Sequence, residues 1–211
     1  MTNREYLNAL SDEDFTALVL AKRAELSIDN FKNWLAEEHK EVNKAIIKEL
    51  GAGAKFKYAG YEFTKLADEE ESCYCLLNGT VFESKFGETN DWAKSRIRER
   101  LNEFDEKGEN KAIRGIKEKD LISVSLNYYS YKNPNGRTSD KITILSYEEA
   151  WAYDFKNVDK YTWLRSGADF NTANSYVLSA AGGMTSNGVY DSYRVRPALH
   201  LKSDIEVEVE E

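Results

Sequence analysis

Few residues in this chain have the types and spacing that chemistry requires. The strongest candidates are two arginines, Arg165 in Tyr-Thr-Trp-Leu-Arg-Ser (161–166) and Arg196 in Tyr-Arg-Val-Arg-Pro (193–197). A guanidinium offers five donors in a flat fork and keeps its charge. Such a group either binds an anionic ligand or satisfies backbone carbonyls that no regular ladder reaches. We read both arginines as internal struts, with Trp163 anchoring the strand beside Arg165. Two cysteines, Cys73 and Cys75, lie at i and i+2. On a strand they share a face, but pairs this close rarely meet disulfide geometry. A zinc site normally takes four ligands. The only histidines, His39 and His200, are distant in sequence. The cysteines are therefore read as reduced packing residues, with no metal and no cofactor. A hydrolytic triad needs a histidine close to its nucleophile, and no motif places one. The glycines of Ala-Ala-Gly-Gly-Met-Thr-Ser-Asn-Gly (180–188) lack the lysine of a phosphate-binding loop. No catalytic residue is assigned, and the chain is read as a non-enzyme.

The segment between the arginines has a different character. Residues 167–193 set Phe170, Tyr190 and Tyr193 among Asn171, Asn174, Asn187, Asp191 and many Ser, Thr and Gly. Tyrosines among small polar residues make adaptable contact surfaces. Tyr129 and Tyr131, in Leu-Asn-Tyr-Tyr-Ser-Tyr (126–131), offer a second one. The alternative is ordinary turns with some tyrosines in the core. Tyr176, which alternates with Leu178, is expected there.

Composition bounds the class. The chain has 211 residues, 41% hydrophobic and 31% charged, as in a folded globular protein. No apolar run approaches the roughly 20 residues that span a bilayer. The first residues do not read as a secretory signal, so a cytoplasmic location is expected. The net charge is −8, but the last eight residues carry five acids and no base, leaving −3 for the remainder. A basic field for nucleic acid is missing. Ile205, Val207 and Val209 alternate with Asp204, Glu206, Glu208 and Glu210. That period of two predicts a half-buried strand whose charged outer face discourages edge pairing.

The elements that must hold these residues follow from period and punctuation. Residues 1–51 read as a helical segment, with starts at Thr2, at Ser11 and at Ser27. Ile28, Phe31, Trp34, Leu35, Val42, Ile46 and Leu50 predict one helix of about six turns, stopped by Gly51. From residue 52 the period changes. Strands are expected around 55–66 and 72–82, with Gly60 and Asn78–Gly79 as turns, the latter a hairpin signal. A helix over 91–104 is capped by Asn90 or Asp91 and buries Trp92, Ile97, Leu101 and Phe104. A strand follows over 121–129, then a turn-rich loop over 131–140 and a short strand over 141–146. Ser146 with Glu149 three residues on predicts a capping box that starts a helix. Short strands fill the final third. The fold class is α+β: a domain over 52–211 behind an N-terminal helical segment.

Four of these stretches, in this order, resemble a domain family of unknown function found in Gram-positive bacteria and their phages. They are Asp91-Trp92-Ala-Lys-Ser95-Arg-Ile97-Arg98-Glu-Arg-Leu101-Asn102, Asp140-Lys-Ile-Thr-Ile-Leu-Ser146-Tyr-Glu-Glu149, Trp163-Leu-Arg165-Ser166, and Val195-Arg196-Pro197-Ala-Leu199. The likeness covers roughly 52–203. Gly167 stands where the family prefers proline, and Arg194 where it prefers glycine. The resemblance implies a C-type-lectin-like fold, the group that includes formylglycine-generating enzymes and variable receptor-binding proteins of phages. It implies short strands, two helices and long irregular loops. The copper-binding cysteine pair of the formylglycine enzymes is not carried over, because Cys73 and Cys75 lie far upstream of the corresponding loops. The triplets of calcium-binding lectins are met only in fragments, in Lys-Asn-Pro-Asn-Gly (132–136) and Thr-Asn-Asp-Trp-Ala (89–93). The first fifty residues resemble short phage-encoded segments with a Trp-Leu-x-x-Glu helix, here Trp34-Leu-Ala-Glu37. The cysteines of those relatives, and any metal site with them, are absent. Together the resemblances imply a phage- or prophage-type module that binds a host or phage protein through its loops, with no direct nucleic-acid or membrane contact. The alternatives are an acidic inhibitor of a host defence nuclease, anti-CRISPR-like, or an uncharacterised enzyme on the same fold.

Overall fold

A change of period after the third helix divides the chain into two units, Met1–Val42 and Asn43–Glu211. The computed structural model describes residues 3–25, 27–36, 43–153, 161–179 and 181–209. The first unit holds α1 (Asn3–Ala9), α2 (Asp12–Glu25) and α3 (Ile28–Ala36). The start signals act as expected. The Ser11 hydroxyl accepts the Asp14 amide at 3.3 Å, and the Ser27 hydroxyl accepts the Asn30 amide at 3.4 Å. The third candidate, Thr2, lies outside the described residues. Phe31 and Trp34, one turn apart, stack with ring centres 5.7 Å apart. The Asn3 side chain ties α1 to α3 by donating to the Trp34 carbonyl at 2.6 Å.

The second unit is mixed α+β. Its elements are β1 (Asn43–Ile46), β2 (Lys55–Tyr58), β3 (Tyr61–Asp68), β4 (Ser72–Leu77), β5 (Phe82–Ser84), α4 (Arg96–Leu101), β6 (Val124–Ser130), β7 (Asn133–Asp140), β8 (Ile142–Thr143), α5 (Tyr147–Ala152), β9 (Thr162–Gly167), β10 (Asn174–Leu178), β11 (Met184–Gly188), β12 (Tyr193–Val195), β13 (Ala198–Lys202) and β14 (Glu206–Val209). Among the described residues they form a seven-stranded sheet in the order β1-β14-β2-β3-β4-β13-β8. A five-stranded sheet runs β11-β10-β9-β12-β5, and β6 and β7 form a hairpin of their own. The parallel contact of β12 with β9 joins the β11-β10-β9 and β12-β5 parts of the five-stranded sheet.

The alternation of strand residues sorts the core. On β4, Cys73, Cys75 and Leu77 enter the larger cluster with Phe56, Phe63, Trp92, Ile97, Trp163 and Leu199. Tyr74 and Leu76 enter a second cluster with Leu145, Ala150 of α5, Leu164 and Leu178. Both faces of β4 are thus buried, and both thiols are free. Burial pushes the Cys73 thiol up to about 11 and Cys75 up as well, which keeps both protonated.

Several expectations are corrected. The six-turn helix is not found: α3 covers Ile28–Ala36, Ile46 belongs to β1, and Leu50 follows a single 3₁₀ turn, Ile47–Glu49. Val42 lies outside the described residues. Lys65 holds this segment on the second unit: its fully buried ammonium takes the carbonyls of Ile47 (3.0 Å), Lys48 (3.2 Å) and Leu50 (2.5 Å) and pairs with Asp68. The Ile47 carbonyl, with two lone pairs, also accepts the Leu50 amide at 3.2 Å and closes the single 3₁₀ turn. Residues 43–51, read with the helical segment, therefore belong to the second unit. Asn78–Gly79 does not turn a hairpin, because β4 and β5 lie in different sheets. Instead Asn78 holds the Thr64 hydroxyl and the Glu62 carboxylate. The helix over 91–104 is two pieces: a 3₁₀ turn, Trp92–Lys94, capped by Asp91, and α4, capped by Ser95. Phe104 lies beyond them, in a bridge with Asn110. The predicted loop over 131–140 is the strand β7. Its hairpin turns at Tyr131–Lys132, and Pro134 is tolerated in this two-stranded ribbon. Strand β14 has the predicted alternation, with Val207 buried and Glu206 and Glu208 exposed, but it lies between β1 and β2 rather than at an edge.

Candidate functional site

Strand β9 is buried along its whole length and carries Arg165 into the interior. Its guanidinium is fully engaged. Nε donates to the Asn127 carbonyl of β6 (3.1 Å), and Nη1 to the Ile144 carbonyl (2.8 Å). Nη1 and Nη2 grip both oxygens of Glu149 at 2.6 Å each. This forked, charge-assisted pair is the strong form of the contact. Burial opposes the guanidinium charge, but the Glu149 carboxylate outweighs it and raises the Arg165 pKa.

Glu149 is there because of the helix start. The predicted capping box is present: Ser146 caps α5, and the Glu149 carboxylate accepts the Ser146 amide at 2.9 Å. The same oxygen accepts the Tyr74 hydroxyl at 3.1 Å. Burial first, and the Glu149 charge second, raise that hydroxyl well above its ordinary range, so it stays a donor. One carboxylate thereby joins helix α5, strand β4 and strand β9.

Arg196, just after the neighbouring strand β12, does similar work at the end of β4. Its Nε donates to the Leu77 carbonyl at 2.6 Å, and Nη2 reaches the Asn78 side-chain oxygen at 3.4 Å. Burial lowers its pKa from the ordinary value. Trp163 is fully buried; its indole donates to the Ser84 carbonyl at 2.8 Å, and Phe86 and Tyr193 pack edge-on against it. Arg165 and Trp163 are therefore internal, and Arg196 is half-buried.

The loops above this floor are tied by a residue the sequence did not point to. Asn90 is buried, and its amide nitrogen donates to the carbonyls of Ala168, Asn171 and Asn174 at 2.8–3.0 Å. A Cβ at Gly167 would stand 2.6 Å from the Asn90 side chain. Proline is thus excluded at Gly167 for steric reasons. Asn90 was expected only as a helix cap; nothing in local spacing announces a clamp to residues about eighty positions away.

The predicted contact residues separate into groups. Phe170, Tyr190 and Tyr131 are exposed on three turns, at 58%, 55% and 50%. Asn171 shares the Phe170 turn, where its side chain accepts the Ala173 amide at 2.7 Å. Asn174 opens β10, and Asn187 lies opposite Ser175 on the edge strand β11. The Asp191 carboxylate takes a long 3.5 Å contact from the Tyr193 hydroxyl. Tyr193 faces inward, half-buried between Trp163 and Tyr161. Tyr176, expected in the core, is only half-buried and packs against Tyr147 at 4.7 Å.

Tyr129 stands where two recesses meet. One, of about 530 Å³, lies between β6 and the start of α5, with Asn127, Pro134, Glu149 and Arg165 in its walls. The other, of about 280 Å³, is lined by Tyr129, Tyr147, Glu148, Ser166, Gly167, Asp169 and Tyr176. Of these only Tyr129 was foreseen. The capping box placed Tyr147 and Glu148 in a first helical turn, and that was the available signal. Trp151, a turn further along α5, is 72% exposed.

His200, read as an ordinary strand residue, is fully buried, stacked on Tyr74 at 4.6 Å, with Nδ1 3.1 Å from the Glu69 carboxylate. Among the described residues no group of three or more His, Cys, Asp or Glu is placed to hold a metal ion, and no helix is long and apolar enough to cross a membrane. His39 and Glu210 lie outside the described residues. Compared with protein-family models, with curated proteins and with solved structures, the chain has no match.

Proposed function

We propose that the chain is a non-catalytic protein-binding module of phage or prophage type, working in the host cytoplasm. In this reading the second unit is a C-type-lectin-like domain whose loops meet a host or phage protein. The observation that carries it is the exposure of Phe170, Tyr190 and Tyr131 on turns of a scaffold anchored by Arg165 and Asn90. Large aromatics held on fixed backbone lose little freedom on binding, which favours affinity. The polar groups with the greatest chemical potential, Arg165 and Glu149, are committed to each other. The competing reading, an acidic nuclease inhibitor, draws on the C-terminal acids. It is weakened because Glu206 pairs with Lys44, and Glu208 stands opposite Lys57 across the sheet.

Capture of a partner from a bacterial lysate tests the reading. A partner retained by the wild type and lost with Phe170→Ala and Tyr190→Ala supports it. Retention by those variants, with loss on charge reversal at Glu206 and Glu208, would move the assignment to the acidic face.

A further inference from the structure

The smaller recess has a chemistry of its own. Three tyrosines, Tyr129, Tyr147 and Tyr176, converge on it with two carboxylates, Glu148 and Asp169. Tyr147 and Tyr176 meet at a tilt of 53°, so their rings form a corner rather than a flat stack. Asp169 comes from the turn after β9, Glu148 from the first turn of α5, and Tyr129 from β6. Tyr176 comes from β10, so four separate parts of the fold assemble the recess on top of the Arg165 floor. Arg165, in the wall of the adjoining recess, is paired with Glu149. Among the described residues neither Glu148 nor Asp169 has an ion pair, and both are exposed. Burial first, then Asp169, the two neighbouring tyrosines and Glu148, push the Tyr176 hydroxyl up, so it stays protonated.

We infer that this recess receives an arginine side chain of the partner protein. The inference rests on the binding-module reading above. Electron-rich ring faces attract a cation, and a flat, weakly hydrated guanidinium can stack on one tyrosine while donating to carboxylates at its edge. An ammonium is a compact and strongly hydrated charge, so it would be the poorer fit. Glu148 and Asp169 supply the compensating charge, and the tyrosine hydroxyls supply further acceptors. The exposed Phe170, next to Asp169, would flank the entrance on the partner's side.

The test is an amide NMR titration of the full chain with N-acetyl-arginine amide, N-acetyl-lysine amide and N-acetyl-citrulline amide. The expected result is a saturable shift of Ser166, Gly167, Asp169 and Tyr176 with the arginine derivative. The lysine derivative should bind more weakly and neutral citrulline should give no shift. The double variant Glu148→Gln/Asp169→Asn should weaken arginine binding about tenfold or more, with the remaining spectrum unchanged because both positions are exposed. Shifts that do not saturate, that survive the double variant, or that citrulline or lysine reproduces equally would overturn the inference. Free arginine binding more tightly than its capped amide would also overturn it, by pointing to a free amino acid rather than a side chain. If the recess ignores arginine while Phe170→Ala still abolishes partner capture, this inference falls and the module reading stands. If capture also survives Phe170→Ala and Tyr190→Ala, the module reading falls with it.

Discussion

The floor around Arg165 and the rim that carries Phe170 and Tyr190 belong to one stretch of chain, yet they obey different rules. On the floor every strong polar group has its partner: Arg165 with Glu149, Glu149 with Ser146 and Tyr74, and Asn90 with three carbonyls. On the rim the aromatics are largely unsupported; the Tyr190 hydroxyl reaches only the Glu88 carbonyl, at 3.2 Å. Glu148 and Glu149 draw the line between adjacent residues, one turned to the recess and one locked beneath it. The contrast teaches that irregular backbone here is held from below by single polar side chains, which frees the surface residues from any structural duty.

That contrast can be broken most sharply at its floor. Arg165→Ala leaves Glu149 and two carbonyls without their buried partner and should cost about 3 kcal/mol of stability by urea unfolding. If it costs under about 0.5 kcal/mol, the floor is not a support. A step smaller, Gly167→Ala forces a methyl into the Asn90 clamp and should cost about 2 kcal/mol. Amide hydrogen exchange should accelerate across 168–174 in that variant and stay unchanged in β2 and β3. A still smaller effect is expected at Glu69. Its hydrogen bond to His200 holds the carboxyl below the usual 4.5, against the opposing effect of burial. A depressed carboxyl contributes stability above its unfolded pKa and loses it as pH falls through the folded value. The stability gap between wild type and Glu69→Gln should therefore be full above the ordinary carboxyl value of 4.5 and shrink progressively as the pH falls below it. A gap that widens on acidification would contradict the assignment. At the rim, Phe170→Ala and Tyr131→Ala should each change stability by no more than about 0.5 kcal/mol. A larger loss at either position would make that residue part of the scaffold.

What could be seen from sequence followed from local physics. The capping box at Ser146, the helix starts at Ser11 and Ser27, the alternation of β14 and the strut role of Arg165 and Arg196 each depend on neighbours in the chain or on the chemistry of one side chain. The errors came where distant groups decide. Residues 47–50 have helical spacing, but they make only one 3₁₀ turn, tied through the Ile47, Lys48 and Leu50 carbonyls to Lys65 on β3. Residues 133–140 contain Pro134 and Gly136 and read as a loop, yet they pair with β6. Gly136 suits that ribbon because the Tyr128 ring lies across it, where a Cβ would come within 2.3 Å. Asp140 then fastens the ribbon by accepting from Trp92, Arg98 and Thr138. The recess was only partly legible for the same reason. Tyr129 lay in a visibly aromatic stretch, but its companions arrive from β9, β10 and α5.

Strand β14 occupies the slot between β1 and β2, two strands made some hundred and fifty residues earlier. During synthesis that slot stays open, with the ladder groups of both neighbours unsatisfied, until residues 206–209 leave the ribosome. Completion of the large sheet consequently waits for β14, and a nascent chain that still lacks this strand would be exposed to chaperones and to misassembly.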